Sequence, residues 1–211
     1  MRAATHLSHS RLEEAVDWKA FLSDTRRYRA LLTGFLSLAR PADRAIWQAL
    51  GSQTPPDFAS RRTADWIAAD LAALDRQEGR GQDSATAAVP EADFGFINSF
   101  AAAVGGLYVL EGSTLGAQLL SRMLHDALGC TAESGGRWLA AYGDETGPRW
   151  KRFQAWLNAV LTTPAEVDEA ARAAVGTFER FSEWLSRCAR EQGIVPSAAS
   201  TPAVANGGRH E

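Results

Sequence analysis

Histidine is the side chain best suited to hold a metal or move a proton near neutral pH, and the chain has four, two of them, His6 and His9, close together at the N-terminus. On a 3.6-residue period Arg2, Thr5, His9, Leu12, Glu13 and Val16 share one stripe. His9 then stands among apolar neighbours with a carboxylate one turn later. A neutral imidazole that binds iron through one nitrogen needs its other N–H held, and Glu13 at i+4 can hold it. The same spacing also describes a surface pair, and His6, His9 and Glu13 together describe ligands for a bare divalent ion. His125 falls too far along a later helix to join them, and His210 lies in the tail.

The second unusual feature is glycine inside a segment that otherwise reads as strongly helical. Gly105, Gly106, Gly112 and Gly116 all lie there. At about 1 kcal/mol each relative to alanine, they must be offset by something a side chain would obstruct. Gly105, Gly112 and Gly116 recur at seven and four residues, on one face, where either a flat ligand or another helix could approach the backbone. Other motifs are excluded. GSTLG has no Lys-Ser/Thr ending for a phosphate loop, and Thr114 stands where a hydrolase elbow carries serine. The E-x-x-H pairs of a di-iron carboxylate bundle are absent.

These residues need elements to position them, and the periodicity is helical throughout. The N-terminal stripe predicts a first helix. Asp24 or Thr25 can cap the next, in which Tyr28, Leu32 and Phe35 recur before Pro41 interrupts. Phe58, Trp66, Ile67, Leu71 and Leu74 mark a helix over 57–74. Residues 78–95 read as a surface loop. A long apolar helix over 97–128 is the central element, and a second Gly-rich loop precedes helices near 150–161 and 164–191. No stretch alternates as strands do, so the expected architecture is all-α, a single-domain helical bundle over residues 1–190 with seven or eight helices. Residues 191–211 have little to bury and read as a disordered tail.

Composition agrees with one ordinary globular domain: 211 residues, 45% apolar and 22% charged. The net charge of -3, with no basic block, leaves no footprint for nucleic acid. The start of the chain lacks the apolar run of a secretory signal. The most apolar window, over 100–110, is stopped by Glu111 and is too short to cross a bilayer, so no membrane association is expected. Two cysteines without CxxC spacing fit a reducing, cytoplasmic compartment.

Taken together, RAATHLSHSRLE and LYVLEGSTLGAQLLSRML resemble segments of the haem oxygenases, especially the bacterial branch associated with bacteriophytochromes. RRTADWIAADLAALD and WKRFQAWLNAV extend the likeness over about residues 1–190. The resemblance implies haem held between a proximal N-terminal helix and a glycine-containing distal helix. Its proximal side is then Thr5, His9 and Glu13, with His9 as the iron ligand, and its distal side is Gly112, Ser113 and Gly116. Arg2, with His6 beside it, and Lys151 from a later helix are the implied propionate partners, with Arg152 as a close competitor of Lys151, while Tyr108, Val109 and Phe178 are implied haem contacts. Ser113 stands where mammalian relatives carry Asp, and Ala117 replaces a common third glycine; both bear on which meso carbon is attacked.

The implied activity is oxidative opening of haem to biliverdin, carbon monoxide and iron. Haem serves as substrate and cofactor, with O2 and electrons from an external reductase or ferredoxin-type donor. A bacteriophytochrome is the candidate recipient of biliverdin. Three other readings share these residues: a haem carrier or sensor without turnover, a non-haem metal protein, and a helical scaffold whose glycines serve packing.

Overall fold

Every long helix begins at a residue able to satisfy its first N–H groups or packs an apolar stripe that fixes its place. The computed structural model describes residues 1–14, 17–54, 62–79 and 91–194, with the backbone alone described for Arg2, Ala3, Arg11, Glu13 and Glu14. Among the described residues there are eight α-helices, two 3-10 turns and no strand. The helices are α1 (Arg2–Glu14), α2 (Trp18–Phe21), α3 (Thr25–Leu50), α4 (Thr63–Gln77), α5 (Phe100–Leu128), α6 (Arg137–Ala140), α7 (Thr146–Val160) and α8 (Pro164–Glu191). The 57–61 part of the helix expected over 57–74, most of the 78–95 loop and the tail beyond Ile194 lie outside the described residues.

Helix α3 does not stop at Pro41 but runs through it to Leu50. Proline removes the N–H that would bond the carbonyl four residues back. Here that carbonyl, on Ser37, accepts instead from the Ala92 N–H at 3.3 Å, so a distant segment satisfies the group proline leaves behind. Asp24 caps α3 by accepting from the Arg27 N–H at 2.8 Å. At α8, Thr163 and Glu166 form a capping box around Pro164, which sits where its missing N–H is not needed.

The core lies where α3, α5 and α8 cross. Tyr28, Leu31, Leu32, Ile46, Val104, Leu107 and Leu185 are fully or almost fully buried there. Two crossings depend on glycine. A Cβ on Gly34 would stand 1.6 Å from the Trp184 ring, and one on Gly105 would stand 2.0 Å from the Ala170 carbonyl oxygen. At Gly34 the Trp184 ring lies against the α3 backbone, and at Gly105 the backbones of α5 and α8 meet directly. Gly106 is also filled around, by Ile46 and Ile97. The helix expected over 97–128 runs from Phe100 to Leu128, through Glu111. By length and composition α5 could cross a membrane, but 61% of its most apolar window is buried inside the protein, as in a core helix.

A polar layer supports one side of this core. Asp70, 1% exposed on α4, accepts from the backbone N–H groups of Arg137 at 2.7 Å and Trp138 at 2.8 Å, holding the start of α6. Burial pushes its carboxyl up to about 6, against the lowering effect of those two bonds and of the Arg137 charge. Burial also raises both thiols, that of Cys188 to about 12, so neither is poised as a thiolate near neutral pH.

Candidate functional site

Helix α1 lies along α8. Thr5 is buried, its hydroxyl donating to the Met1 carbonyl at 3.3 Å, and so anchors the helix one turn before His9. His9 itself is exposed. Its imidazole stands edge-on to Phe178 of α8, with centroids 5.8 Å apart and planes at 77°. One edge of the ring is therefore packed while the residue still offers surface to a ligand. Phe178 is buried in the core rather than projecting from it. His6 is exposed, as is Leu7 at 69%. The side chains of Arg2 and Glu13 lie outside the described residues, so their expected contacts do too.

The glycines of α5 divide into two groups. Gly105 and Gly106 are packing devices, as described above. Gly112 and Gly116 are different: the nearest group to a Cβ on Gly112 would be the Trp150 ring at 3.6 Å, and nothing stands within 4 Å of one on Gly116. Beside them Leu115 and Leu119 are 41% and 49% exposed. At 100° per residue, Gly112, Leu115, Gly116 and Leu119 form one stripe, a shelf of bare backbone and leucine. Tyr108 begins the stripe, and Trp150 of α7 closes that end by packing against it at 5.4 Å. Val109, 2% exposed, belongs to the core behind the shelf.

Hydroxyls at the shelf are tied to the helix itself. Ser113 donates to the Leu110 carbonyl at 2.8 Å and Thr114 to that of Glu111 at 2.6 Å. Exposed Ser113 keeps lone pairs for water, whereas Thr114 is buried. Neither is an acid. Lys151 is exposed on α7 next to Trp150, and among the described residues no ion pair involves it. Its neighbour Arg152 is drawn toward Glu145 at 3.6 Å. His125 is exposed in the last turns of α5, well past the shelf.

The profile of the family described as Heme oxygenase matches residues 1–187. The chain belongs to the haem oxygenase family. Among relatives, it is 37% identical over 132 residues to Heme oxygenase PigA of Pseudomonas aeruginosa, covering 63% of this chain and 62% of that one. It is 30% identical over 175 residues to a heme oxygenase of Xanthomonas campestris, covering 83% of this chain and 94% of that protein. A heme oxygenase from Neisseria meningitidis, solved with NO and CO bound, superposes with a TM-score of 0.73 at 24% identity, over 96% of this chain and 94% of the other. A domain of unknown function from Shewanella denitrificans with a heme oxygenase-like fold gives 0.62 at 13% identity, over 94% of each chain. At these identities the two solved structures speak for the haem oxygenase fold and not for a site.

Leu115, Leu119 and Trp150 are shelf residues that the sequence alone did not single out. The two leucines carried a signal: they stand three and seven positions after Gly112, the spacing of one helix face. Trp150 carried none, since its place depends on how α7 returns to α5. Among the described residues no three His, Cys, Asp or Glu side chains converge as a metal site, and the Glu13 side chain lies outside them.

Proposed function

We propose that this chain opens haem oxidatively to biliverdin, carbon monoxide and iron, with His9 as the single axial ligand and the Gly112–Gly116 segment as the distal surface. The observation that carries this is the open shelf of α5: backbone bared at Gly116, flanked by exposed Leu115 and Leu119, in a fold whose N-terminal helix offers an exposed imidazole. A porphyrin suits it, being flat, largely apolar and in need of one nitrogen ligand. When bound, haem supplies the redox chemistry and O2 activation, with electrons from an external reductase or ferredoxin-type donor.

The protein's share is positioning. Phe178 meets the edge of the His9 ring, and Glu13, one turn later, is the residue that would hold the far nitrogen. The bare glycine backbone would leave room for a bound haem and its O2, and Ser113 would offer a hydroxyl to water rather than a strong acid that would divert the reaction toward peroxidase chemistry. Tyr108 stands at the covered end of the shelf with Val109 in the core behind it, and Thr5 anchors the proximal helix. Arg2 and Lys151 meet the propionates, two carboxylates that need charged partners. A cytoplasmic site of action and delivery of biliverdin to a bacteriophytochrome complete the reading.

Titrating purified protein with haemin, then adding reductant in air, tests it. A Soret band followed by bilin absorbance is expected. A stable Soret band with no bilin would identify a carrier or sensor instead, and no Soret band would leave a scaffold or a bare-metal protein. Lys151→Glu is expected to weaken haemin binding or change the mixture of biliverdin isomers; neither change would remove Lys151 from the site.

A further inference from the structure

On one flank of the shelf α5 carries a carboxylate where a leucine would pack more easily. Glu111 immediately precedes Gly112 and is 1% exposed. The Tyr142 hydroxyl donates to its Oε1 at 3.1 Å. Two turns later Gln118 donates from Nε2 to the Gly143 carbonyl at 3.0 Å. Seven residues of helix return to within about 20° of the same direction. The edge of α5 is therefore tied twice to consecutive residues of one turn, with Gly112 and Gly116 between the ties.

That turn is itself held from several sides. The Tyr142 ring meets the edge of Trp66 at 5.4 Å and lies under the Arg149 guanidinium at 4.3 Å. Ala141, at φ 46°, adopts a left-handed conformation that side chains disfavour. It is kept there by the Arg137 guanidinium, which donates to its carbonyl at 2.6 Å. Arg137 in turn begins the helix that Asp70 caps. A strained, multiply anchored turn makes a firm support, unlike a free loop.

Burying a carboxylate beside the core is costly, and an apolar side chain of similar size would avoid the cost. What the apolar side chain cannot give is direction. The shelf face of α5 meets no protein at Gly116, so packing on that side does not fix how the helix is rotated or how far it stands from a ligand. We propose that Glu111, Tyr142 and Gln118 form a brace that sets the position of the Gly112–Gly116 backbone over bound haem, making all three positioning residues. This rests on the haem-degrading reading above.

Tyr142→Phe removes one hydroxyl and keeps both ring contacts; Glu111→Leu removes the acceptor, and Glu111→Gln retains one. Three quantities are measured on each holoprotein: haemin affinity, the pH midpoint of the ferric Soret change, and the single-turnover rate. Tyr142→Phe and Glu111→Leu are expected to bind haemin within about threefold of the parent protein while single turnover slows about tenfold. Their Soret midpoint is expected to move by about half a pH unit or more, with Glu111→Gln close to the parent in both respects. Should Glu111→Leu fail to fold, Tyr142→Phe and Gln118→Ala decide alone. A parent-like midpoint and rate in Tyr142→Phe, or Glu111→Gln as impaired as Glu111→Leu, overturns the brace. Should the parent protein itself fail to bind haemin, the functional reading falls, and amide exchange of residues 111–118 in the apo protein still judges the brace. Faster exchange in Tyr142→Phe supports it, and unchanged exchange refutes it.

Discussion

His9 is the residue on which the functional reading turns, and its surroundings say how it can be tested. The imidazole leans on Phe178 through one edge, so its removal leaves Phe178 covered less well but takes no side chain out of the core. His9→Ala should therefore fold. It should also lose the low-spin ferric spectrum and weaken haemin binding about 100-fold, given that even outer-shell partners of a ligand are worth 10–100-fold. His6→Ala is the control, because His6 is equally exposed on the same helix. If His6→Ala loses the spectrum and His9→Ala keeps it, the ligand has been misassigned. The helix that carries His9 was legible in the sequence because a helical stripe is a local property. The contact of His9 with Phe178 was not, since 169 positions separate the two residues along the chain.

The elements show where local pattern stops being informative. Gly105 and Gly116 look alike as glycines on one face of one helix, and only the neighbour decides between them: the Ala170 carbonyl for Gly105, and no atom within 4 Å for Gly116. Alanine at Gly105 should destabilise the apo protein by about 3 kcal/mol or more, because backbone must move at the α5–α8 crossing. Alanine at Gly116 should leave the apo protein unchanged or stabilise it by up to about 1 kcal/mol through helix propensity. The larger Gly116→Leu should still fold but lose biliverdin formation. Urea denaturation of the apo variants, set beside turnover, checks the pair; a Gly116→Ala protein as unstable as Gly105→Ala would assign both glycines to packing. Pro41 taught the same lesson from the other side, since its rescue by Ala92 is a long-range bond invisible to periodicity. By contrast, the 164–191 helix was readable to the residue, because its capping box and proline are local.

The support behind α6 gives a pH dependence with a definite sign. Burial raises the Asp70 carboxyl from 3.8 to about 6, so the folded state binds this proton more tightly than the unfolded chain does. The group's contribution to stability is then greatest below about pH 4, and it falls as pH rises to about 6, by about 3 kcal/mol for a shift of this size. Asparagine does not titrate. Relative to the parent protein, Asp70→Asn should gain stability by that order between pH 4 and pH 7, measured by urea midpoints at each pH. A gap that stays constant would mean that the two backbone N–H bonds cancel the burial effect.

At the scale of the whole molecule, α8 is the common partner: α1 and α5 both pack along it. The His9 imidazole and the Gly112–Gly116 shelf thus belong to helices joined chiefly through a third. A haem ligated by His9 and lying under Gly112–Gly116 would be a direct link between them. Ligand that binds only the folded protein stabilises it by about 2.7 kcal/mol at a free concentration 100 times the Kd, but that gain alone would not reveal where the ligand sits. Its distribution does. Haemin should slow amide exchange in α1 and over residues 108–119 of α5, by tenfold or more where opening is local, while α4, which packs chiefly on α3 and α6, changes little. The His9→Ala protein provides the contrast. If haemin still binds the shelf without its ligand, protection should persist in α5 and vanish from α1. Haemin that gives a Soret band while leaving α1 exchange untouched in the parent protein would place the porphyrin somewhere other than between these two helices.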